Sequence, residues 1–509
     1  MDALFAPLVE ATGASADQVK LIACLLVAYP LGSLFIRVPS DTPALRHLFS
    51  IVVTLFFLLP MLGMYSGLVQ LLGDILFTYF VAKYHKGSAM PWIVFCGVLG
   101  HLMVNHIIRV LYDWSYETIE VTGPQMVLVM KLTTYAWNVW DGRRKTEDLD
   151  AWQLANRIPE YPSLLEYLGF CFYFPGFLVG PFLVYSDYVS LVHETVFKDQ
   201  KIKGSRGRNI ADGRKRVGYR KMVTGLAFLG IFIVFGGTYN YGALLTPEFA
   251  AKSLPLRILW CQFYGTMERC KYYAIWTLTE GASIITGLGF TGLTPSGKST
   301  WKGAANVKPL TIEWPSNFKV LLDSWNMKAN IWLRECVYKR VTPKGKKPGF
   351  SSSMLTFAAS AFWHGTAIGY YLTFIMGGFI TTAARLVRSN VRPLVLPEAG
   401  KPAGLAKHLY DIIGTLTSLL ILNYVAAPFM LLSWSSSIEA WTRLGWYGHI
   451  IIMGGLVFFY AGGAKVFKGL QKQSAKKMTP TASGAATPVG EKTFQLPPAF
   501  DKLAPPPQS

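Results

Sequence analysis

The run LFSIVVTLFFLLPMLGMYSGLVQLLGDILFTYFVA, residues 48–82, decides the fold class of this chain. It is apolar almost without interruption, and a helix needs only about 20 such residues to cross a bilayer. The run is too long for one crossing. Pro60, Gly63 and Gly67 lie in its middle and offer a turn, so it reads as two membrane helices joined back to back. On its N-terminal side lies a further apolar run, Leu21 to Val38, and on its C-terminal side Trp92 to Tyr112 and the shorter Met126 to Trp140.

The rest of the chain continues the pattern. Met222 to Leu245 is a clean span, and Leu254 to Phe290 returns with Glu268, Arg269, Lys271 and Glu280 embedded in it. Ser351 to Leu386 is long enough for two segments broken at Gly365 and Gly369, and Ile412 to Trp434 and Ile450 to Ala464 follow. Leu164 to Tyr188 carries Phe174-Pro175-Gly176 and Gly180-Pro181. It is expected to be a broken, re-entrant hairpin, which survives at membrane depth only against protein or a cavity. The expectation is an all-α, polytopic integral membrane protein of about eleven transmembrane or re-entrant helices around an internal chamber. Residues 1–466 form its single domain, and residues 467–509, rich in Lys, Pro, Ser and Thr, are expected to be a disordered cytosolic tail.

Composition agrees. Of 509 residues, 51% are hydrophobic and only 15% charged, well under the roughly 25% of a soluble chain. A soluble enzyme, a disordered chain and a disulfide scaffold are excluded. The net charge of +20 is no nucleic-acid signal, because the Lys and Arg sit in short connections between apolar runs, where they set orientation. Arg37 with Arg46, Lys83 with Lys86, and Arg143 to Lys145 all fall on one face, read as cytosolic. Lys198 to Lys221, with ten basic and two acidic residues, joins them. The first 18 residues hold Asp2, Glu10 and Asp17 but no Lys or Arg, so no cleavable leader is expected. The six cysteines include no CxxC pair and read as packed thiols, with no metal site.

Two stretches carry candidate chemistry. His364 lies deep in an apolar run, beside Gly365, which permits close approach. A neutral imidazole there either takes a proton from a hydroxyl or packs as a core histidine. Asn326 and Asn330 are four apart and Trp325 and Trp332 seven apart, each pair expected on one helical face. An amide there either polarises a carbonyl or caps a helix. His101 and Asn105, also four apart, are expected to bond between helices.

These stretches are distinctive in combination. Trp325-Asn326 with Trp332-Leu333-Arg334 and Val337-Tyr338-Lys339-Arg340 resembles the asparagine motif of the membrane-bound O-acyltransferase family. Phe362-Trp363-His364-Gly365 with Gly369-Tyr370-Tyr371-Leu372 resembles its histidine motif. Lys271-Tyr272-Tyr273, Trp276, Glu280-Gly281 and Gly287 to Phe290 are similar to a block of its lysophospholipid acyltransferase branch, in the form of fungal enzymes with a broad head-group range. So is Pro175-Gly176 with Gly180-Pro181-Phe182. The likeness runs in order from about Leu111 to Leu372. Where many relatives carry a proline before the Gly-Tyr-Tyr, this chain has Ala367-Ile368.

The resemblance implies transfer of a fatty acyl group from acyl-CoA to the free hydroxyl of a lysophospholipid, in the endoplasmic reticulum membrane. It implies His364 as base and Asn326 as oxyanion donor, with no bound cofactor and acyl-CoA as co-substrate. Trp325, Trp363, Lys271, Tyr272, Tyr273, Trp276, Glu280 and Tyr338 are the expected substrate contacts. Lys339 and Arg340, with Lys344, Lys346 and Lys347, would attract the CoA phosphates or only set topology. The rival readings are a family member acting on a protein, sterol or diacylglycerol acceptor, and a membrane transporter.

Overall fold

A computed structural model describes residues 2–114, 118–198, 202, 204, 210–342, 349–397 and 402–478. The elements that position the site are α1 (Ala16–Phe35), α2 (Pro43–Phe56), α3 (Tyr65–Tyr84), α4 (Met90–Leu111) and α5 (Thr122–Gly142). They continue with α6 (Leu164–Cys171), α7 (Tyr185–His193), α8 (Arg214–Phe235), α9 (Leu254–Thr286) and α10 (Met327–Leu333). The last five are α11 (Phe350–His364), α12 (Ile368–Asn390), α13 (Leu405–Leu431), α14 (Tyr447–Phe458) and α15 (Ala464–Met478).

The deciding run does break in two. α2 passes through a π-helical turn, Phe57–Met61, and the chain reverses at Gly63, whose φ of 68° is one that side chains with a Cβ rarely adopt. Ser351 to Leu386 breaks as expected between His364 and Ile368. Leu164 to Tyr188 is broken too, into α6, a turn at Phe174–Phe177 and the start of α7. From Gly169 to Tyr185 it is buried except for half-buried Val179. The free carbonyls at the end of α6 are satisfied by Lys131, whose ammonium donates to Phe170 O at 2.5 Å and Cys171 O at 2.8 Å.

Eight helices among the described residues are long and apolar enough to cross a membrane, against about eleven segments expected. Four of the expected segments are not among the eight: Met126–Trp140, Leu164–Tyr188, Leu254–Phe290 and the first half of Ser351–Leu386. α5 and the stretch from Gly169 to Tyr185 face protein, so they can carry polar groups or be short, whereas α11 has 15 residues and is too short to count. α5 is buried along nearly its whole length, with Lys131, Asn138 and Asp141 inside; α9 buries Arg269 and Glu280. α8 lies so close along α9 that a Cβ on Gly218 would come within 2.7 Å of Ile285, and one on Gly225 within 2.8 Å of Leu278.

Two readings are corrected. Arg46, counted as a cytosolic loop charge, is buried; it donates to Val192 O at 2.8 Å and pairs with Glu194 at 2.6 Å, tying α2 to the end of α7. His47 beside it is buried too, against the Tyr188 hydroxyl at 2.8 Å. The chain past residue 467 continues as α15 to Met478 rather than starting as a disordered tail; residues 479–509 lie outside the described residues. The expected bonding of His101 and Asn105 is present. His101 meets Asp74 at 2.7 Å and Asn105 donates to Gln125 at 2.7 Å, while Gln125 donates to Asp74 at 2.9 Å, joining α3, α4 and α5.

Candidate active site

The histidine arm is built by a helix that stops abruptly. α11 ends at His364 because Gly365 adopts φ 127°, a conformation that side chains with a Cβ rarely take. A Cβ there would also come within 3.1 Å of the His106 ring. His106 lies 3.3 Å from the Trp363 carbonyl through Nε2, so α4 braces this turn. Trp363 is anchored twice more: its indole donates to Met126 O at 3.0 Å, and its ring lies 5.6 Å from that of Trp332. The helix resumes at Ile368, the first helical position, where proline is ordinarily well accommodated, so Ala367-Ile368 follows that path without one.

The His364 ring sits among aromatics, stacked on Phe374 at 5.1 Å and edge-on to Phe429 at 4.9 Å, with Tyr370 at 5.5 Å. Among the described residues it makes no hydrogen bond. The residue is half-buried.

The asparagine arm corrects the expected geometry. Asn326 is not on a helical face with Asn330. It stands just before α10 at φ 41°, ψ 55°, the left-handed region that asparagine tolerates better than most residues. Its side chain has no hydrogen-bond partner among the described residues. Asn330 is structural, donating to Leu322 O at 2.6 Å and Trp325 O at 2.7 Å. Asn306, which sequence reasoning missed, pins the turn: its backbone oxygen accepts from Met327 N at 2.8 Å and its side chain from Lys328 N at 2.9 Å. Nothing local singles out Asn306, because its role depends on a segment distant in sequence.

Trp325 and Trp332 likewise do not share a face. Trp325 packs on α9, with ring distances of 5.4 Å to Tyr272, 6.1 Å to Tyr273 and 5.1 Å to Trp276. Trp332 is fully buried; it donates to Thr133 at 2.8 Å and packs against Trp363. The two arms meet through α13. Phe429 touches His364, and next to it the Met430 sulfur lies 3.9 Å from the Tyr272 hydroxyl, against which Trp325 packs. The asparagine, histidine and α9 blocks are thus linked through α13.

The remaining expected contacts divide. Tyr273 is buried and donates to Glu313 at 2.6 Å. Glu280 is held by Lys221 at 2.9 Å. Lys271 pairs with Glu268 at 2.8 Å and lies over the Tyr272 ring. Tyr338 is half-buried in the turn after α10. Lys339 and Arg340 are not free cations awaiting phosphate. Lys339 pairs with Asp150 at 2.7 Å and Glu335 at 2.8 Å. Arg340 grips both oxygens of buried Asp141, at 2.9 and 2.5 Å, and covers the Trp137 ring at 4.2 Å. Burial alone would push the Asp150 carboxyl up, but the Lys339 ammonium outweighs it and holds that carboxyl below the usual range. Lys344, Lys346 and Lys347 lie outside the described residues.

Known proteins resemble the chain over most of its length. A profile of MBOAT, the membrane-bound O-acyltransferase family, matches residues 108–427. The chain is 40% identical over 447 residues to a lysophospholipid acyltransferase of Schizosaccharomyces pombe, covering 88% of this chain and 87% of that one. It is 34% identical over 466 residues to a lysophospholipid acyltransferase of Saccharomyces cerevisiae, covering 89% of this chain and 75% of the other. It is 30% identical over 463 residues to human membrane-bound glycerophospholipid O-acyltransferase 1, covering 87% and 89%. The profile spans the α9 aromatic block, Asn326, His364 and the Phe429-adjacent part of α13 up to Ala427, and the relatives match nearly end to end, so the chain belongs to the membrane-bound O-acyltransferase family.

Proposed function

We propose that this chain moves a fatty acyl group from acyl-CoA to the free hydroxyl of a lysophospholipid, giving a diacyl phospholipid. The observation that carries the chemistry is the pair of unpartnered polar side chains, His364 and Asn326, on blocks linked through the aromatics of α9 and α13. The acceptor hydroxyl gives its proton to a His364 ring nitrogen as its oxygen attacks the thioester carbon. The carbonyl oxygen becomes an oxyanion and accepts a hydrogen bond from the Asn326 amide, an interaction typically worth about 3–4 kcal/mol. The carbon–sulfur bond then breaks, and the departing CoA sulfur takes the proton from His364. The thioester is already activated, so neither a covalent acyl-enzyme nor a bound cofactor enters the scheme.

The architecture suits both substrates. The acceptor and the acyl chain reach the chamber from the bilayer, and Tyr272, Trp276 and Trp325 supply an apolar surface for the chain. CoA enters from water on the basic, cytosolic face. The reading includes residence in the endoplasmic reticulum membrane with the C-terminal tail in the cytosol, supported by the Lys and Arg distribution and by family likeness.

The test is a panel assay on the detergent-purified full chain. Several lysophospholipids and acyl-CoAs are supplied, and released CoA and diacyl product are measured together. Matching amounts of both are expected. Acylation of a sterol, a diacylglycerol or a protein, with no lysophospholipid accepted, would overturn the reading.

A further inference from the structure

Asp74, Asn105, His106 and Gln125 are buried polar side chains that take no part in the scheme above. Polar groups inside a membrane protein are costly and persist there with partners, so it matters where their bonds lead. Asp74, Asn105 and Gln125 bond with one another and with half-buried His101, in the network that joins α3, α4 and α5. His106 bonds elsewhere. Its Nε2 lies 3.3 Å from the Trp363 carbonyl oxygen. A carbonyl only accepts, so Nε2 carries the hydrogen and donates.

Holding that oxygen holds the proposed base. The Trp363 C=O and the His364 N–H belong to one planar peptide group, so the position of the oxygen sets the direction in which the His364 Cα leaves the helix. Carbonyls in the last turn of a helix have no partner within it. At the end of α11, Gly365 N donates back to Ala361 O and Phe362 O, both at 3.2 Å, and His106 takes Trp363 O. The first contact steadies the peptide after His364 and the second the peptide before it.

Trp363 is gripped at its other end as well, its indole donating to Met126 O at 3.0 Å. The two gripping residues each stand one position after a member of the network. His106 follows Asn105 and Met126 follows Gln125, and Asn105 donates to Gln125 at 2.7 Å. Gln125 in turn donates to Asp74 at 2.9 Å. The network therefore fixes α4 against α5 at the level where the two helices clamp Trp363.

We infer that His106 is a positioning residue for acyl transfer. It holds the peptide that carries His364, the Asp74, Gln125 and Asn105 network keeps the clamp in register, and the His106 ring itself takes no proton from substrate. The inference rests on His364 acting as the base of the proposed transfer.

The test uses the full-length purified enzyme with one lysophospholipid and one acyl-CoA. His106→Leu removes the donor and should lower kcat about tenfold while KM for both substrates stays within about twofold, since a misaligned base slows the chemistry rather than binding. His106→Gln brings an amide hydrogen to the place of Nε2 and should return kcat to within about threefold of the wild type, because the bond is remade. His106→Asn is one methylene too short and should be as slow as His106→Leu. Gln125→Met cuts the network without touching Trp363; it should also lower kcat, and its effect should not add to that of His106→Leu. His106→Gln as slow as His106→Leu would overturn the inference and make the imidazole itself a proton carrier. KM values that rise while kcat holds would overturn it too, leaving His106 to shape the path of the substrates. If His106→Leu does not fold, the kcat ratio of His106→Gln to His106→Asn decides alone. A wild type without acyl transfer would overturn the proposed function and this inference with it, whereas an active wild type whose His106→Leu variant keeps its kcat overturns this inference alone.

Discussion

Replacing Asn326 by glycine removes the proposed oxyanion donor and leaves the backbone unstrained. Position 326 has φ 41°, which glycine adopts freely. Alanine there would carry a left-handed backbone costing roughly 1–2 kcal/mol. The Asn326 side chain has no partner among the described residues, so its loss orphans no buried group. Asn326→Gly and Asn326→Ala should therefore lose the same activity and differ in stability. One oxyanion donor is worth about 3–4 kcal/mol, or roughly 10²- to 10³-fold in kcat. Single-turnover acyl transfer measures the first quantity and thermal unfolding in detergent the second. Asn326→Gly should melt near the wild type and Asn326→Ala lower, with both slow by the same factor. A glycine variant turning over within a few-fold of wild type would refute the oxyanion assignment. A glycine variant that loses activity and unfolds early would show that the amide holds the fold.

Four further outcomes follow from particular contacts. His364→Ala should abolish transfer while acyl-CoA binding persists, and the His364→Ala/Asn326→Gly double variant should be little slower, because groups serving one transition state are not additive; substantial turnover by His364→Ala sinks the base assignment. Arg340→Ala should leave buried Asp141 with only the Arg144 contact at 3.2 Å and cost about 1–3 kcal/mol of stability without changing KM for acyl-CoA; a raised KM in a fully stable protein would return Arg340 to CoA binding. Burial raises the Glu313 carboxyl, but the Arg269 guanidinium, donating at 2.7 and 2.6 Å, outweighs it and holds it below the usual range. That stabilisation is present above the ordinary carboxylate pKa and is lost as pH falls through the lowered one, so Glu313→Gln should flatten the acid side of a melting-temperature profile; an unchanged acid limb refutes it. Cysteines placed at Lys198 and Lys465 should both react with an impermeant thiol reagent from the cytosolic side of sealed vesicles, and protection of only one would break the proposed topology.

The class of this protein was legible before any contact was known. Apolar runs long enough for a bilayer, interrupted at Gly63 and again after His364, encode their helices and breaks locally, because chain length and backbone conformation act within a few residues. The motif residues were legible for the same reason, as short patterns around Asn326 and His364. Their geometry was not. Helical spacing put Asn326 and Asn330 on one face, yet Asn306, about twenty positions upstream, holds the turn that swings Asn326 into a left-handed conformation. Composition counted Arg46, Lys339 and Arg340 as free loop charges, yet they pair with Glu194, Asp150 and Asp141, all far off in the chain, and Lys339 also with nearby Glu335. A charge pattern reports how much charge a segment carries, and only packing decides which charges neutralise one another. The same holds for the link between the two arms: that Phe429 and Met430 join His364 to Tyr272 depends on how α13 lies across α9 and α12, and no local propensity encodes that crossing.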